Sequence, residues 1–397
     1  MRMELSKVGM AIEPSVTLEI TAKANAMKAK GVDIISFSVG EPDFNTPENI
    51  QNEGIRAIKS GLTKYTPSSG IIELKKAICE KFKNDNNLDY KPSNIIISNG
   101  GKHSIYNALL AILNPGDEVI IGIPYWVSYP ELVNIAGGVP VFIKTKEEND
   151  FKYGVDELEA IKTKKTKAII LNSPSNPTGA IYSEEELRGI ADWAVKNNVF
   201  VVSDELYEKL IYEGNKHISI ASFNDEIKRL TILINGMSKA YAMTGWRIGY
   251  AAANEDIVKI MGNIQSHTTS NPSSISQYAS VEGLKGDQSS VEKMKEQFDI
   301  RRKYIVETIN SIKGLSCRTP KGAFYVMVNI SGIKGKTIKG FEVKDSIDFT
   351  NLILEKGNVA IVPGIAFGDD DYVRLSYANS LDNIKEGLNR IKDVIEG

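Results

Sequence analysis

The sequence predicts an α/β fold, in which a large domain with a mostly parallel seven-stranded sheet covered by helices is joined to a smaller α+β domain. Seven short runs rich in Val and Ile alternate with longer amphipathic stretches between residues 94 and 253. Continuous apolar strands that alternate with helices are typical of parallel sheets buried on both faces. After about residue 285 this alternation gives way to a long charged helix, short strands and a closing helix, which indicates a second domain.

The strands and helices of the large domain follow one another in a regular order. The predicted strands are 94–98, 118–123, 139–144, 167–172, 199–204, 230–235 and 247–253. The predicted helices are 103–113, 126–136, 155–163 and 184–197. Ser183 and Glu186 have the spacing of a capping box, which predicts that the last of these helices begins at residue 184.

The smaller domain is predicted from the residues that follow. Its elements are a helix over 290–312, strands over 323–329, 359–364 and 372–378, and a helix over 381–395. We expect the N-terminal segment to join it. The predicted boundaries are therefore 46–285 for the large domain, and 1–45 together with 286–397 for the small domain.

Composition argues against several classes of function. The 48 Lys and Arg residues are balanced by 50 Asp and Glu residues, so no basic field is available to hold nucleic acid. No apolar run has the length of a signal peptide or a membrane span, and we expect a cytoplasmic protein with no membrane partner. Cys79 and Cys317 lie too far apart in sequence to indicate a disulfide framework or a zinc site, and His103, His217 and His267 have no metal-ligand spacing.

Polar residues follow several predicted strands, where ligands bind in doubly wound sheets. Gly100 and Gly101 open a helix, whose free backbone N–H groups suit a phosphate, although a glycine pair is also common in simple turns. Asn176 lies between Pro174 and Pro177, where a rigid turn would hold a neutral hydrogen-bond donor. A loop without a ligand explains Asn176 equally well.

The next two strands also end in polar residues. Asp204 ends a strand and Tyr207 follows it; a buried carboxylate requires a cation, although capping of the next helix is the alternative role for Asp204. Lys239 follows the next strand among apolar residues, and Arg247 comes eight positions later. Taken together, a phosphate cradle, a neutral donor, a carboxylate, a phenol, a lysine and an arginine suit a small aromatic cofactor with a phosphate and a ring nitrogen.

Seven segments resemble, in order, the class I aminotransferases of fold type I, which use pyridoxal 5′-phosphate. The segments are SVGEPDF, KYTPSSGI, PYWVSYPE, NSPSNPTG, VSDELYE, SKAYAMTGWRIGY and VRLSYA. The resemblance runs from about residue 12 to residue 395 and is strongest to the bacterial aspartate aminotransferases of the subgroup that includes prephenate aminotransferases. It implies a homodimer with shared active sites.

The resemblance also implies residue roles. Lys239 forms the internal aldimine and then moves a proton between the substrate Cα and C4′ of the cofactor. Arg374 binds the substrate α-carboxylate near the backbone of Gly40, with Trp126 and Asn176 also beside the substrate. The other implied cofactor contacts are Gly100, Gly101, Lys102, Ser238 and Arg247 at the phosphate, Asp204 at the pyridine nitrogen, Tyr207 and Asn176 at the phenolic oxygen, Trp126 on the ring face, and Tyr65 at the phosphate of the neighbouring subunit.

The implied reaction moves the amino group of L-aspartate to 2-oxoglutarate in a ping-pong cycle, giving oxaloacetate and L-glutamate. Aromatic or alanine-type amino donors, or a carbon–sulfur β-lyase that releases pyruvate and ammonia, would use the same cofactor residues. A cofactor-binding regulatory module is disfavoured, because Lys239 is present and no basic appendage is visible. Glu13 stands where relatives with prephenate activity commonly have lysine, which argues against prephenate, and no arginine for the aspartate side chain can be assigned.

Overall fold

The computed structural model describes residues 5–14 and 16–397, with the side chain of Val8 left out. The strands are β1 Ile35–Ser36, β2 Ile95–Ser98, β3 Glu118–Ile123, β4 Val139–Lys144, β5 Thr166–Asn172, β6 Phe200–Asp204, β7 Thr231–Gly236, β8 Gly249–Ala252, β9 Ser316–Cys317, β10 Tyr325–Asn329, β11 Thr337–Ile338, β12 Phe341–Glu342, β13 Val359–Ala360, β14 Val362–Pro363 and β15 Tyr372–Ser376. The helices are α1 Lys7–Met10, α2 Val16–Ala29, α3 Glu48–Lys59, α4 Ile72–Asn86, α5 Gly101–Ile112, α6 Ser128–Ile135, α7 Val155–Ile161, α8 Glu184–Asn197, α9 Asp225–Leu230, α10 Glu255–Thr268, α11 Ser274–Lys285, α12 Ser289–Ser311, α13 Ser346–Gly357 and α14 Leu381–Glu396.

The seven strands predicted for the large domain form one sheet. Their order is β2-β8-β7-β6-β5-β3-β4, and only β8 runs antiparallel to its neighbours. The prediction of a mostly parallel seven-stranded sheet is therefore confirmed. In this register Asn172 at the end of β5 lies beside Asp204 at the end of β6, so the polar residues that follow the strands meet at one edge.

Successive residues of the central strands enter different cores on the two faces of the sheet. Along β7, Ile232 and Ile234 pack with α5, α6 and α10, whereas Leu233 packs with α3, α4 and α11. Helices α7, α8 and α9 cover another part of the sheet. Every residue of β7 is buried, which explains why the strand is a continuous apolar run without alternation.

The small domain is built around a four-stranded antiparallel sheet in the order β14-β15-β10-β9. The N-terminal segment joins it, because β1 pairs with β13 in parallel, with Ile35 opposite Val359. The single strand predicted over 359–364 is wrong in detail. Strand β13 pairs with β1, whereas β14 pairs with β15, so these residues belong to two different sheets.

These contacts support the boundaries 46–285, and 1–45 with 286–397, which remain a proposal; residues 1–4 and 15 of that division lie outside the described part of the chain. The predicted capping box is present: Ser183 N donates to Oε2 of Glu186 at 2.7 Å, and Glu186 N donates to Oγ of Ser183 at 3.3 Å. Among the described residues, no helix has the combination of length and apolar character that a membrane span requires.

Candidate active site

A cavity of about 460 Å³ opens at the carboxyl ends of the large sheet, where the small domain meets it. This volume is in the range that small-molecule sites have. It brings together most of the residues that the sequence singled out. The predicted residues that line it are Gly40, Gly101, Lys102, Trp126, Asn176, Asp204, Tyr207, Ser238, Lys239, Arg247 and Arg374.

The predicted phosphate turn joins β2 to α5 at one end of the cavity. Gly100 has φ +89° and precedes Gly101, the first residue of the helix. Only glycine fits at the facing position of β8, because a Cβ atom on Gly249 would lie 2.3 Å from the backbone N of Gly101. The backbone N–H groups at this helix start form a positive end suited to an anion.

Arg247 completes this positive end. Its Nη1 donates to the carbonyl of Thr244 at 3.0 Å, and its Nη2 donates to the carbonyl of Asn99 at 3.2 Å. A Cβ atom on Gly100 would lie 2.4 Å from Nη2, so the guanidinium lies directly against the turn. The turn and the guanidinium together form one anion-binding corner.

Asp204 lies at the end of β6 and is buried. Tyr129 donates a hydrogen bond of 2.6 Å to its Oδ2, and the backbone N–H of Leu206 donates to its Oδ1 at 3.2 Å. Burial raises the pKa of Asp204 to about 6, although the hydrogen bond from Tyr129 opposes this rise. A buried carboxylate that is fixed by these two hydrogen bonds is well suited to pair with a cation or a protonated ring nitrogen.

Lys239 extends into the cavity from the connection between β7 and β8. Its Nζ donates to the carbonyl of Gly40 at 2.5 Å. Burial lowers the pKa of Lys239 to about 8; Arg374 and Arg247 act in the same direction, while Glu41 opposes them. A substantial neutral fraction near pH 8 is what a lysine nucleophile requires.

Arg374 in β15 is a buried cation at the side of the cavity formed by the small domain. Its Nη1 donates to Oδ1 of Asn176 at 3.1 Å, and its Nη2 donates to the carbonyl of Ser38 at 2.9 Å. The guanidinium lies over the rings of Tyr325 and Phe367, at 4.5 and 4.9 Å from their centroids. Its Nε has no hydrogen-bond partner, and no carboxylate of the described residues forms an ion pair with it.

The remaining predicted residues border the cavity between these groups. The hydroxyl of Tyr207 lies 2.9 Å from that of Tyr325, and burial raises the pKa of Tyr207 well above its usual range. Lys102 does not turn toward the backbone of the phosphate turn: its Nζ lies over the ring of Trp126, 5.1 Å from the centroid. Burial and the neighbouring Arg247 lower the pKa of Lys102.

Two residues weighed from the sequence lie on the surface of the chain, away from the cavity. Tyr65 is 92% exposed on the segment between α3 and α4, so it contributes nothing to the cavity of this chain. Glu13 is also exposed and does not line the cavity, so the geometry gives no support to a repulsion between Glu13 and a substrate.

Comparison with known proteins decides the family. A family model described as "Aminotransferase class I and II" matches residues 32–391. The chain belongs to the class I and II aminotransferases. The site just described is therefore the site of an aminotransferase.

Individual relatives of this aminotransferase are similar over at least 96% of their lengths. An aspartate aminotransferase of Bacillus sp. (strain YM-2) is 51% identical over 96% of each chain. An aspartate/prephenate aminotransferase of Nitrosomonas europaea is 45% identical over 99% of this chain and all of its own. The solved structure of the aspartate aminotransferase of Thermus thermophilus with maleate has a TM-score of 0.93 and is 41% identical, over 99% of this chain and all of the other.

Several residues at the site of the aminotransferase were not assigned a role from the sequence. Tyr129 stands in the recognised segment PYWVSYPE and Tyr325 in the predicted strand 323–329, but their contacts with Asp204 and Tyr207 depend on elements far apart in the chain. His217 does not line the cavity, but it is not an isolated residue: its Nε2 lies 2.7 Å from Oε2 of Glu205, which follows Asp204 in the chain.

Proposed function

We propose that this protein transfers the amino group of L-aspartate to 2-oxoglutarate, giving oxaloacetate and L-glutamate, with pyridoxal 5′-phosphate as its cofactor. The observation that carries the proposal is the buried guanidinium of Arg374, which has an unpartnered Nε and faces the same cavity as the amine of Lys239. A buried cation without a carboxylate of its own chain is costly unless a ligand supplies one. The names of the relatives support aspartate as the donor.

The residues around the cavity fit the proposed cofactor. The anion-binding corner at Gly101 and Arg247, with Ser238 beside it, suits the phosphate, and Asp204 suits a protonated ring nitrogen. Tyr207 and Asn176 suit the phenolic oxygen. When bound, pyridoxal phosphate supplies an electron-withdrawing ring that stabilises negative charge at the substrate Cα.

In this proposal the protein itself positions the reactants and moves the proton. Nζ of Lys239 takes up the proton that leaves the substrate Cα, and its lowered pKa of about 8 leaves a useful neutral fraction at cellular pH. The carbonyl of Gly40 fixes the direction of this amine through its 2.5 Å contact. Tyr129 holds the Asp204 carboxylate in place by the 2.6 Å hydrogen bond to Oδ2.

The substrate carboxylates are assigned to two different cations. Arg374 uses two of its five N–H groups on Asn176 and Ser38, so three remain for a planar, two-pronged contact with the α-carboxylate. Among the described residues, four cations line the cavity: Lys102, Lys239, Arg247 and Arg374. With Lys239 as the amine, Arg247 at the anion-binding corner and Arg374 at the α-carboxylate, Lys102 is left for the second carboxylate. Maleate, the ligand named with the Thermus structure, is likewise a dicarboxylate.

We also propose that the protein is a homodimer in which Tyr65 reaches the phosphate of the neighbouring subunit. Large apolar side chains are exposed on the same part of the chain, among them Ile55 and Ile58 of α3 and Ile72 of α4. Large apolar side chains that are exposed in this way are found at subunit interfaces. The cytoplasmic location stays a prediction from the sequence.

A panel of half-reactions tests the proposed function. The purified holoenzyme, which we expect to be yellow, is mixed with single amino acids, and the change in cofactor absorbance is followed. Aspartate and glutamate should bleach the colour rapidly, and Lys239→Ala should abolish turnover with cofactor still bound. Rapid bleaching by aromatic donors with none by aspartate would overturn the substrate, and release of pyruvate with ammonia would instead identify a lyase.

A further inference from the structure

The segment that carries Tyr65 is held by two buried glutamines that belong to other parts of the fold. We call residues 62–71, which connect α3 to α4, the arm. The arm contains no helix or strand, yet Gln265 of α10 and Gln277 of α11, both fully buried, bind its backbone and side chains. Two buried amides that form hydrogen bonds to a segment without helix or strand indicate that the conformation of this segment is fixed.

Gln277 holds the arm on both sides of its turn. Its Oε1 accepts a hydrogen bond from the backbone N–H of Ile71 at 2.8 Å. Its Nε2 donates to Oγ1 of Thr66 at 3.1 Å and to the carbonyl of Pro272 at 2.9 Å. Because Thr66 directly follows Tyr65, this amide fixes the backbone from which the exposed phenol projects.

Gln265 joins the arm to the phosphate turn of the same subunit. Its Nε2 donates to the carbonyl of Ser68 in the arm at 2.6 Å and to the carbonyl of Ile97 in β2 at 2.7 Å. Its Oε1 accepts from Oγ of Ser98 at 2.8 Å and from Nδ2 of Asn107 at 2.9 Å. All four hydrogen-bonding positions of the amide are used, so its orientation is determined by its neighbours.

Close packing keeps the arm against β2. The backbone N–H of Ile97 donates to the carbonyl of Ser69 at 3.0 Å. Gly70 has φ +102°, and a Cβ atom there would lie 2.2 Å from Cγ1 of Ile97. Residues of the arm therefore lie next to Ser98, which leads directly into the phosphate turn.

A side chain that contacts a ligand across a subunit boundary must be held rigidly if it is to add to affinity, since ordering it on binding would cost conformational entropy. Tyr65 has an exposed side chain on a backbone that is fixed in this way. We infer that Gln277 and Gln265 are positioning residues for cofactor retention: Gln277 acts through Tyr65 on the neighbouring subunit, and Gln265 acts both on the arm and on the phosphate turn of its own subunit. This inference rests on the proposed homodimer with shared sites.

The test measures how fast the full-length holoenzyme releases pyridoxal phosphate when a phosphatase destroys the released cofactor. A double-mutant cycle is built from Tyr65→Phe, Gln277→Met and the variant that carries both changes. If the effects of the two changes on the release rate are not additive, the two residues act through a shared contact. Gln288→Met is the matched control: this amide donates to the carbonyls of Gly283 and Gly286 and does not contact the arm. Sedimentation of each variant confirms that the dimer is intact.

We expect release to be about tenfold faster in Tyr65→Phe and in Gln277→Met, because each variant loses the hydrogen bond between Tyr65 and the charged phosphate. The double variant should be no faster than Tyr65→Phe alone, and Gln288→Met should match the unmodified protein. If Gln277→Met leaves release unchanged, or adds fully to Tyr65→Phe, the positioning role is wrong. If Tyr65→Phe itself has no effect, the shared site of the proposed function fails instead.

A second double-mutant cycle, which combines Gln265→Met with Tyr65→Phe, tests whether Gln265 also acts on the phosphate turn of its own subunit. Gln265→Met should speed release further even in the Tyr65→Phe background, because its contacts with Ser98 and Asn107 support the phosphate turn of its own subunit. A Gln265→Met effect that disappears completely in that background would remove the second half of the inference. Thr66→Val deletes the acceptor of Gln277 from the arm side, so it repeats the first cycle if the buried Gln277→Met variant does not fold.

Discussion

The hydroxyl of Tyr129 donates a 2.6 Å hydrogen bond to Oδ2 of Asp204, and both side chains are buried. This contact favours the ionised carboxylate, whereas burial favours the protonated form and raises the pKa of Asp204 to about 6. The charge that would hold a ring nitrogen protonated therefore depends on a tyrosine three residues after Trp126.

Tyr129→Phe should weaken cofactor binding, because it removes the hydrogen bond that keeps Asp204 ionised. We expect a loss of about tenfold or more in affinity for pyridoxal phosphate, the usual scale for a hydrogen bond to a charged group. Since the pKa of Asp204 would rise further, the loss should be larger at pH 6 than at pH 8. Tyr153→Phe is the control, because this buried hydroxyl donates to the carbonyl of Ile170 away from the cavity. Equal effects at both pH values would contradict the prediction.

The rate at which the apoprotein captures pyridoxal phosphate should rise with pH and level off near pH 8. Lys239 must be neutral to react, and burial lowers its pKa to about 8 from an ordinary value near 10.5. Below that pH the neutral fraction, and with it the rate, should increase about tenfold per pH unit. Stopped-flow absorbance gives the profile. A rate that continued to climb in proportion through pH 10 would indicate an ordinary lysine.

Arg374→Lys should raise KM for both amino acid and 2-oxo acid substrates by about a hundredfold. Lysine keeps the charge but lacks the planar fork that can bind a carboxylate while also contacting Asn176 and Ser38. Steady-state kinetics with several substrates measure this change. Arg390→Lys provides the control, since Arg390 pairs with Asp33 and Glu386 at the surface. A variant with unchanged KM values would exclude Arg374 as the carboxylate site.

Lys102→Met should reduce the preference for dicarboxylic substrates while leaving monocarboxylic ones nearly unaffected. The ammonium over Trp126 is the one we assign to the second carboxylate, so the ratio of kcat/KM for aspartate to that for alanine should fall by about tenfold or more. Lys167→Met, which removes a lysine over the ring of Phe200, is the matched control. A parallel loss with both amino acids would instead assign Lys102 to the cofactor.

Gly249→Ala should impair both folding stability and cofactor binding. The added methyl group would lie 2.3 Å from the backbone of Gly100 and Gly101, so β8 and the phosphate turn could not both keep their positions. We expect a destabilisation of about 2 kcal/mol or more, as overpacking against backbone produces. Gly262→Ala within α10 meets no atom within 4 Å and should be neutral or stabilising by up to about 1 kcal/mol. Thermal unfolding of both variants, with and without cofactor, provides the comparison.

The strands of the large domain could be predicted because each is a short, uninterrupted apolar run, and their shared direction brought Asn172 and Asp204 to one edge. Lys239 was singled out as a lysine that follows a strand among apolar residues, whereas its role and the choice of Arg374 followed from the resemblance to a family. By contrast, Tyr129 and Tyr325 act through contacts between distant elements, which no local pattern reports. The division of 359–364 between two sheets could not be predicted for the same reason, because an apolar run does not indicate the strand with which it pairs.

Lys102 illustrates a further limit of the sequence. The resemblance implied a phosphate contact for Lys102 as part of the turn that begins with Gly100 and Gly101. On a helix start, however, the backbone N–H groups and the side chain project in different directions, and here Nζ lies over Trp126. The sequence therefore shows that a lysine stands at position 102, but it does not show where the ammonium that sets substrate preference in our proposal lies.

The contact between Arg374 and Ser38 joins residues that are 336 positions apart in the chain. During synthesis, the early segment that carries Ser38 and Gly40 must wait until β15 has left the ribosome before this wall of the cavity can form. Strand β2 likewise has no sheet neighbour until β8 has been made. Such distant pairings are slow to form, so this wall of the cavity is completed late, after β15 has been made.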